Sequence, residues 1–81
     1  MKLRVEYLLD TEEVFISDAC FQCFDDVYDY LEDTLEKDVI YAKTHFGLKI
    51  AFMRKEIDKV IMFHEYDYET QRVLVDVNEA D

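Results

Sequence analysis

The first nine residues alternate. Leu3, Val5, Tyr7 and Leu9 are interleaved with Lys2, Arg4 and Glu6, with Leu8 as the one exception. A period of two is that of a half-buried strand. Asp10, Thr11, Glu12 and Glu13 make a polar turn, and Val14-Phe15-Ile16 reads as a second strand folded back on the first. Ser17 or Asp18 then offers an N-cap, and the period changes. At about 100° per residue, Cys20, Phe21, Phe24, Val27, Tyr28, Leu31 and Leu35 fall within about 60° of one direction, which predicts an amphipathic helix over residues 19–36.

The second half returns to strands. Residues 39–45 are β-branched and aromatic enough for a strand, and Phe46-Gly47, with the only glycine, marks a turn. Residues 48–60 fit two patterns. Leu48, Ile50 and Phe52 alternate, whereas Ile50, Met53, Ile57, Val60 and Ile61 follow helical spacing. Alternation is preferred, giving strands at 48–54 and 60–66 with a turn at 56–59. A turn at Asp67-Tyr68-Glu69-Thr70 then leads into a strand at 72–77, where Val73, Val75 and Val77 alternate. Residues 78–81 are expected to fray. The expected fold is one α+β domain over residues 1–81. One amphipathic helix packs on a mostly antiparallel β-sheet, in the order β-β-α-β-β-β-β.

Composition narrows the class. An apolar fraction of 51% argues for a folded domain in spite of a net charge of −11. A chain of 81 residues has a small core of its own. With six Tyr and six Phe, some aromatics are expected to pack across a subunit interface, so a homodimer is the expectation. No apolar run approaches the length of a bilayer span, and the opening residues alternate rather than forming the apolar stretch of a signal peptide. A cytoplasmic protein without a membrane partner is the expectation.

Charge is segregated along the chain. Eleven acids and no Lys or Arg lie between Val5 and Glu36. Six of them, Asp25, Asp26, Asp29, Glu32, Asp33 and Glu36, fall on the predicted helix between about 80° and 200° from the apolar direction. Like charges three or four residues apart cost a helix about 0.2–0.5 kcal/mol per pair. The pairs 25/29, 29/33, 32/36, 26/29, 29/32 and 33/36 together cost on the order of 1–3 kcal/mol. The last three also stand near the C-terminus, where the helix dipole favours cations. A surface that opposes its own fold in this way suggests a partner that wants negative charge. Residues 39–64 are the opposite, with two acids against Lys43, Lys49, Arg54, Lys55 and Lys59. These read as strand-edge charge that limits aggregation, or as a surface that pairs with the acidic segment of a second subunit.

Other chemistry is thinly represented. Cys20-Phe21-Gln22-Cys23 places a CxxC at a helix start after a strand, as in thioredoxin-like proteins. But Asp18, Asp25 and Asp26 surround it, no base is near, and the chain lacks the proline that faces such motifs. Both thiols are therefore expected to be buried or semi-buried packing residues. Cys20, Cys23, His45 and His64 lack the spacing of a zinc site. No phosphate loop, nucleophile elbow or metalloprotease motif is present, and a solvated acidic face does not separate carboxylate pKa values for acid–base work. No enzyme, cofactor or metal is expected. No basic-aromatic patch for direct nucleic-acid binding stands out.

The geometry of the acidic run suggests what it faces. Residues 25–36 span about 16 Å of helix at 1.5 Å per residue, or one charge per roughly 3 Å. One DNA strand carries a phosphate per about 3.4 Å. Glu12, Glu13, Glu65, Asp67 and Glu69 could extend this line, and a dimer would present two such lines. In the acidic runs DDVYDYLEDTLE and EYDYET, the chain resembles the small acidic DNA-mimic proteins of phages. Among them it looks most like the Bacillus phage host-takeover inhibitors of the nucleoid protein HU. The resemblance rests on size and charge over the whole chain, not on a shared motif, so no site residue is carried over from it. It implies a dimeric, non-enzymatic inhibitor in the host cytoplasm, with a basic HU-like DNA-binding protein as partner. The alternative is an interaction module, antitoxin-like or anti-defence, whose specificity lies in an apolar or aromatic patch such as Tyr28, Tyr30, Tyr66 and Tyr68.

Overall fold

The computed structural model describes residues 2–65 and 67–77, without the side chains of 68–70. It is α+β, with one helix on a six-stranded antiparallel sheet. The strands are β1 (Leu3–Leu9), β2 (Val14–Ile16), β3 (Val39–Lys43), β4 (Lys49–Met53), β5 (Ile57–His64) and β6 (Asp67–Asp76), and α1 (Phe24–Thr34) lies between β2 and β3. The order along the chain is the expected one. Across the sheet it becomes β4-β3-β2-β1-β5-β6, so the first strand is central and the chain grows outward on both sides of it.

The alternation of β1 explains its position. Leu3, Val5, Tyr7 and Leu9 are all buried, and β1 pairs with both β2 and β5. Their face joins Val60 and Met62 of β5, Phe15 of β2, Ile40 and Ala42 of β3, Phe52 of β4, and Val27 and Leu31 of α1 in a single core. Phe52 stacks on Phe15 at 5.6 Å and meets Tyr7 edge-on at 5.5 Å. In a flat sheet β4 and β1 would be about 14 Å apart at 4.8 Å per strand. The β3–β4 hairpin therefore curls over the core, and the single residue pair joining β2 to β3, Ile16 with Lys43, is where the sheet bends.

The helix is shorter than its periodicity predicts. Residues 19–23 have the right pattern, but Leu3 and Phe21 exchange both backbone hydrogen bonds at 2.8 Å, and those groups cannot also serve a helix. Nor do Ser17 or Asp18 cap it. Ser17 is fully buried, its Oγ accepting from the Val5 amide at 3.1 Å and donating to the Ala19 carbonyl at 2.9 Å. The N-cap is Cys23, with no side-chain hydrogen bond. At the other end Leu35 caps the helix through its amide to the Leu31 carbonyl, so Glu36 lies just beyond it.

Three further boundaries differ. The strand expected over 39–45 stops at Lys43 because Thr44 organises the turn: its Oγ1 accepts from the amides of Phe46 and Leu48, and its carbonyl from that of Gly47. Residues 48–60 follow the preferred strand-turn-strand pattern, with β4 over Lys49–Met53 and β5 from Ile57. However, the turn is a 3-10 segment, Arg54–Glu56, held by the Glu56 carboxylate accepting from the Met53 amide at 2.8 Å, and β5 begins at Ile57. The turn expected at residues 67–70 is instead the start of β6. His64 already pairs with Asp67, and the Glu65 amide donates to the Lys2 carbonyl. The expected fraying of residues 78–81 lies outside the described residues, as does Tyr66.

Candidate functional site

Asp25, Asp26, Asp29, Glu32 and Asp33 stand on α1 with Glu36 just past its end, and all six are exposed. The helix positions them because Val27, fully buried, and Leu31 pin its opposite side to the core. Asp29, Glu32, Asp33 and Glu36 line a shallow depression of about 240 Å³. One base enters the face: Lys37 Nζ lies 3.4 Å from Asp33, both well exposed. Such a pair contributes little to stability. Asp25 and Asp26 occupy the first turn, where the helix dipole favours them, and no base occupies the last. The last turn is thus left electrostatically unfavourable.

The apolar arc is only partly covered. Phe21 and Leu35 pack against the core, but Phe24 and Tyr28 remain 45% and 43% exposed. Arg72 of β6 reaches this flank, its guanidinium 5.6 Å from the Phe24 ring centre and its Nη1 donating to the Tyr28 hydroxyl at 3.2 Å. A cation thus borders the acidic face where the sequence shows only an apolar boundary. Tyr30 lies beneath, tilted against Phe21 at 4.9 Å. Its hydroxyl is 3.3 Å from that of Tyr7, and burial pushes the Tyr7 phenol well above its usual range, with that hydrogen bond adding to the effect.

The proposed extensions of the face are dispersed. Glu12 and Glu13 are exposed in the β1–β2 turn, beside the end of β1 where Leu9 pairs with Ile57. Glu65 and Asp67 stand at the opposite end, where Leu3 pairs with His64. Glu65 turns to the side of the sheet away from α1. Its Oε1 meets Arg4 Nε at 3.4 Å and its Oε2 is buried without a hydrogen-bond partner among the described residues, in a cleft shared with Glu6, Lys43 and Phe63. Glu69 belongs to β6, but its side chain lies outside the described residues, as do those of Tyr66 and Tyr68.

The thiols are not packing residues. Cys20 and Cys23 are both free and exposed, because the segment carrying them is extended along Leu3 rather than helical against the core. Among the described residues no group of three or more His, Cys, Asp or Glu could hold a metal ion, and no helix is long and apolar enough to cross a membrane. A feature the pattern of alternation concealed is the β3–β4 hairpin tip, where Phe46 is 95% and Leu48 69% exposed, near Tyr41 at 74%. The chain matches no known protein family, no curated protein and no solved structure.

Proposed function

We propose that the outward face of α1 binds the basic DNA-binding surface of a nucleic-acid-binding protein and keeps DNA from it, with an HU-like nucleoid protein as the favoured target. The observation that carries this reading is the exposure of five acids on one side of α1 and of Glu36 just past its end, with Lys37 as the one weak counter-ion in a salt bridge to them among the described residues. A rigid helix is a better template than a tail, because the core residues Val27 and Leu31 fix the direction of the charges. From Asp25 to Asp33 five carboxylates rise about 12 Å, close to the spacing of phosphates along one strand. The protein acts by occupancy, without catalysis or cofactor.

The test is competition. Labelled duplex DNA bound to purified HU should be released by the protein, with an effect that declines steeply as salt rises. Reversing Asp29, Glu32 and Asp33 to Lys should abolish release while leaving the far-UV circular dichroism unchanged. A triple variant that competes as well as the wild type would rule out the face. The second reading, an interaction module with an apolar anchor, is favoured by the exposed Tyr41, Phe46 and Leu48. It predicts partner binding that resists salt and is lost on Phe46→Ala.

A further inference from the structure

The β3–β4 hairpin ends the sheet in a free edge, since β4 is the first strand of the six across it. The Thr44 amide donates to the Leu48 carbonyl and the Arg54 amide to the Asp38 carbonyl. In the register of this pair the even-numbered residues of β4 therefore bond β3. The odd ones, Lys49, Ala51 and Met53, turn their backbone groups outward. The Met53 amide donates to the Glu56 carboxylate at 2.8 Å. The amides and carbonyls of Lys49 and Ala51 have no partner among the described residues. Side chains alternate with the same period. Ile40, Ala42 and Phe52 are buried, so Val39, Tyr41, Ala51 and Met53 stand on the outer face, and all four are exposed. Ala51 lies opposite Tyr41. Beside its small side chain is a hollow of about 480 Å³, lined by Asp18, Tyr41, Ala42, Lys49, Ile50 and Ala51.

We infer that the edge of β4 takes up an extended, acidic segment of a partner protein as a further strand. An unpaired edge is a template for such addition, in which backbone bonds give affinity and alternate side chains give specificity. Charge selects the occupant. Residues 39–55 carry Lys43, Lys49, Arg54 and Lys55 and no acid. Lys43 pairs with Asp18 at 3.7 Å, whereas Lys49, Arg54 and Lys55 are in no salt bridge among the described residues. Bases on an edge keep two copies from pairing through it, and the same bases attract an acidic strand. Protection of the edge does not account for its apolar side chains. Of the nine large hydrophobic residues exposed among the described ones, five, Val39, Tyr41, Phe46, Leu48 and Met53, lie on this hairpin. Register then assigns the side chains of the added strand. An acid opposes Lys49, a bulky apolar side chain opposes Ala51 and enters the hollow, and a second apolar one opposes Met53. On an antiparallel course the segment therefore runs apolar, any, bulky apolar, any, acidic. It gives the apolar hairpin anchor of the second reading a partner chemistry, and it rests on that reading rather than on the acidic face of α1.

The probe is a fluorescein-labelled synthetic peptide, Val-Thr-Phe-Thr-Glu-Asp, titrated with the full chain under reductant and followed by fluorescence polarisation. Binding that saturates below millimolar concentration is expected. N-methylation of the phenylalanine amide, which faces Ala51, should weaken binding about tenfold, whereas N-methylation of either threonine, whose amide points away, should not. A peptide with lysine in place of both acids, and the Lys49→Glu protein, should each bind about tenfold less tightly. Lys49 is exposed, so its substitution leaves the core intact, and Glu32→Lys on α1 should not weaken binding. No binding at millimolar peptide overturns the inference. A phenylalanine N-methyl peptide that binds like its parent also overturns it, because the contact would then be apolar docking without strand addition. Self-association of the chain that Lys49→Glu changes would give the edge to a second copy and overturn it as well. The hairpin anchor itself is read separately, by Phe46→Ala on the partner complex.

Discussion

Two residues show where side chains and backbone are at odds, and each gives a measurable effect. Glu12 adopts φ of 72°, a left-handed conformation that costs a side-chain-bearing residue about 1–2 kcal/mol. Glycine there loses less in the fold but more entropy in the unfolded chain, so Glu12→Gly should stabilise by about 0.5–1 kcal/mol, read as a higher urea midpoint. A lower midpoint would mean the Glu12 side chain holds the turn. Tyr7 is fully buried with its hydroxyl on Tyr30, and its folded pKa is raised. Above about pH 10, the ordinary tyrosine value, the unfolded chain releases this proton and the folded chain keeps it. Stability should therefore be intact below that pH and fall as pH climbs past it. Tyr7→Phe should cost about 1 kcal/mol at neutral pH and make the alkaline decline shallower. An equally steep decline would locate the alkaline sensitivity elsewhere.

The elements were legible in the sequence where one interaction decides them, and obscured where two compete. β1 and β2 have their expected limits because nothing contests the alternation of Leu3, Val5, Tyr7 and Leu9. The helix start was not legible, since Cys20 and Phe21 sit on the apolar arc, yet the Phe21 backbone pairs with Leu3, a long-range bond that local periodicity cannot express. The acidic side of the site was legible for the same reason the helix was, being the complement of Val27 and Leu31. The Arg72 flank was not, because it comes from a strand 44 residues away from Tyr28. Two predictions belong to this scale. Cys23 holds an extended N-cap conformation without a side-chain bond, so Cys23→Ser, which can accept from the first turn, should stabilise by about 1 kcal/mol. No gain on thermal unfolding would mean that this helix start does not limit stability. Leu31→Ala should cost about 2–4 kcal/mol, as α1 has only Val27 as a second buried anchor.

At the scale of the molecule the chain is two-sided. One side is an acidic helix that disfavours its own folding; the other is a sheet face on which Arg4 pairs with Glu65, Lys43 with Asp18 and Lys59 with Asp76. The core between them is shared by all the elements except the edge strand β6, whose Leu74 and Val75 pack against it only in part. The account therefore ties stability and binding together with opposite sign. Asp29 takes part in four of the like-charge pairs on α1, so Asp29→Asn should raise stability by about 1 kcal/mol at low salt and weaken the partner complex. The most direct measurement immobilises the protein, passes a bacterial lysate over it at low salt, and elutes with short duplex DNA before raising the salt. The account predicts that the retained protein leaves in the DNA wash, is itself a DNA-binding protein, and is not retained by the Asp29→Lys, Glu32→Lys, Asp33→Lys variant. A retained protein that stays bound through excess duplex DNA at low salt would contradict it.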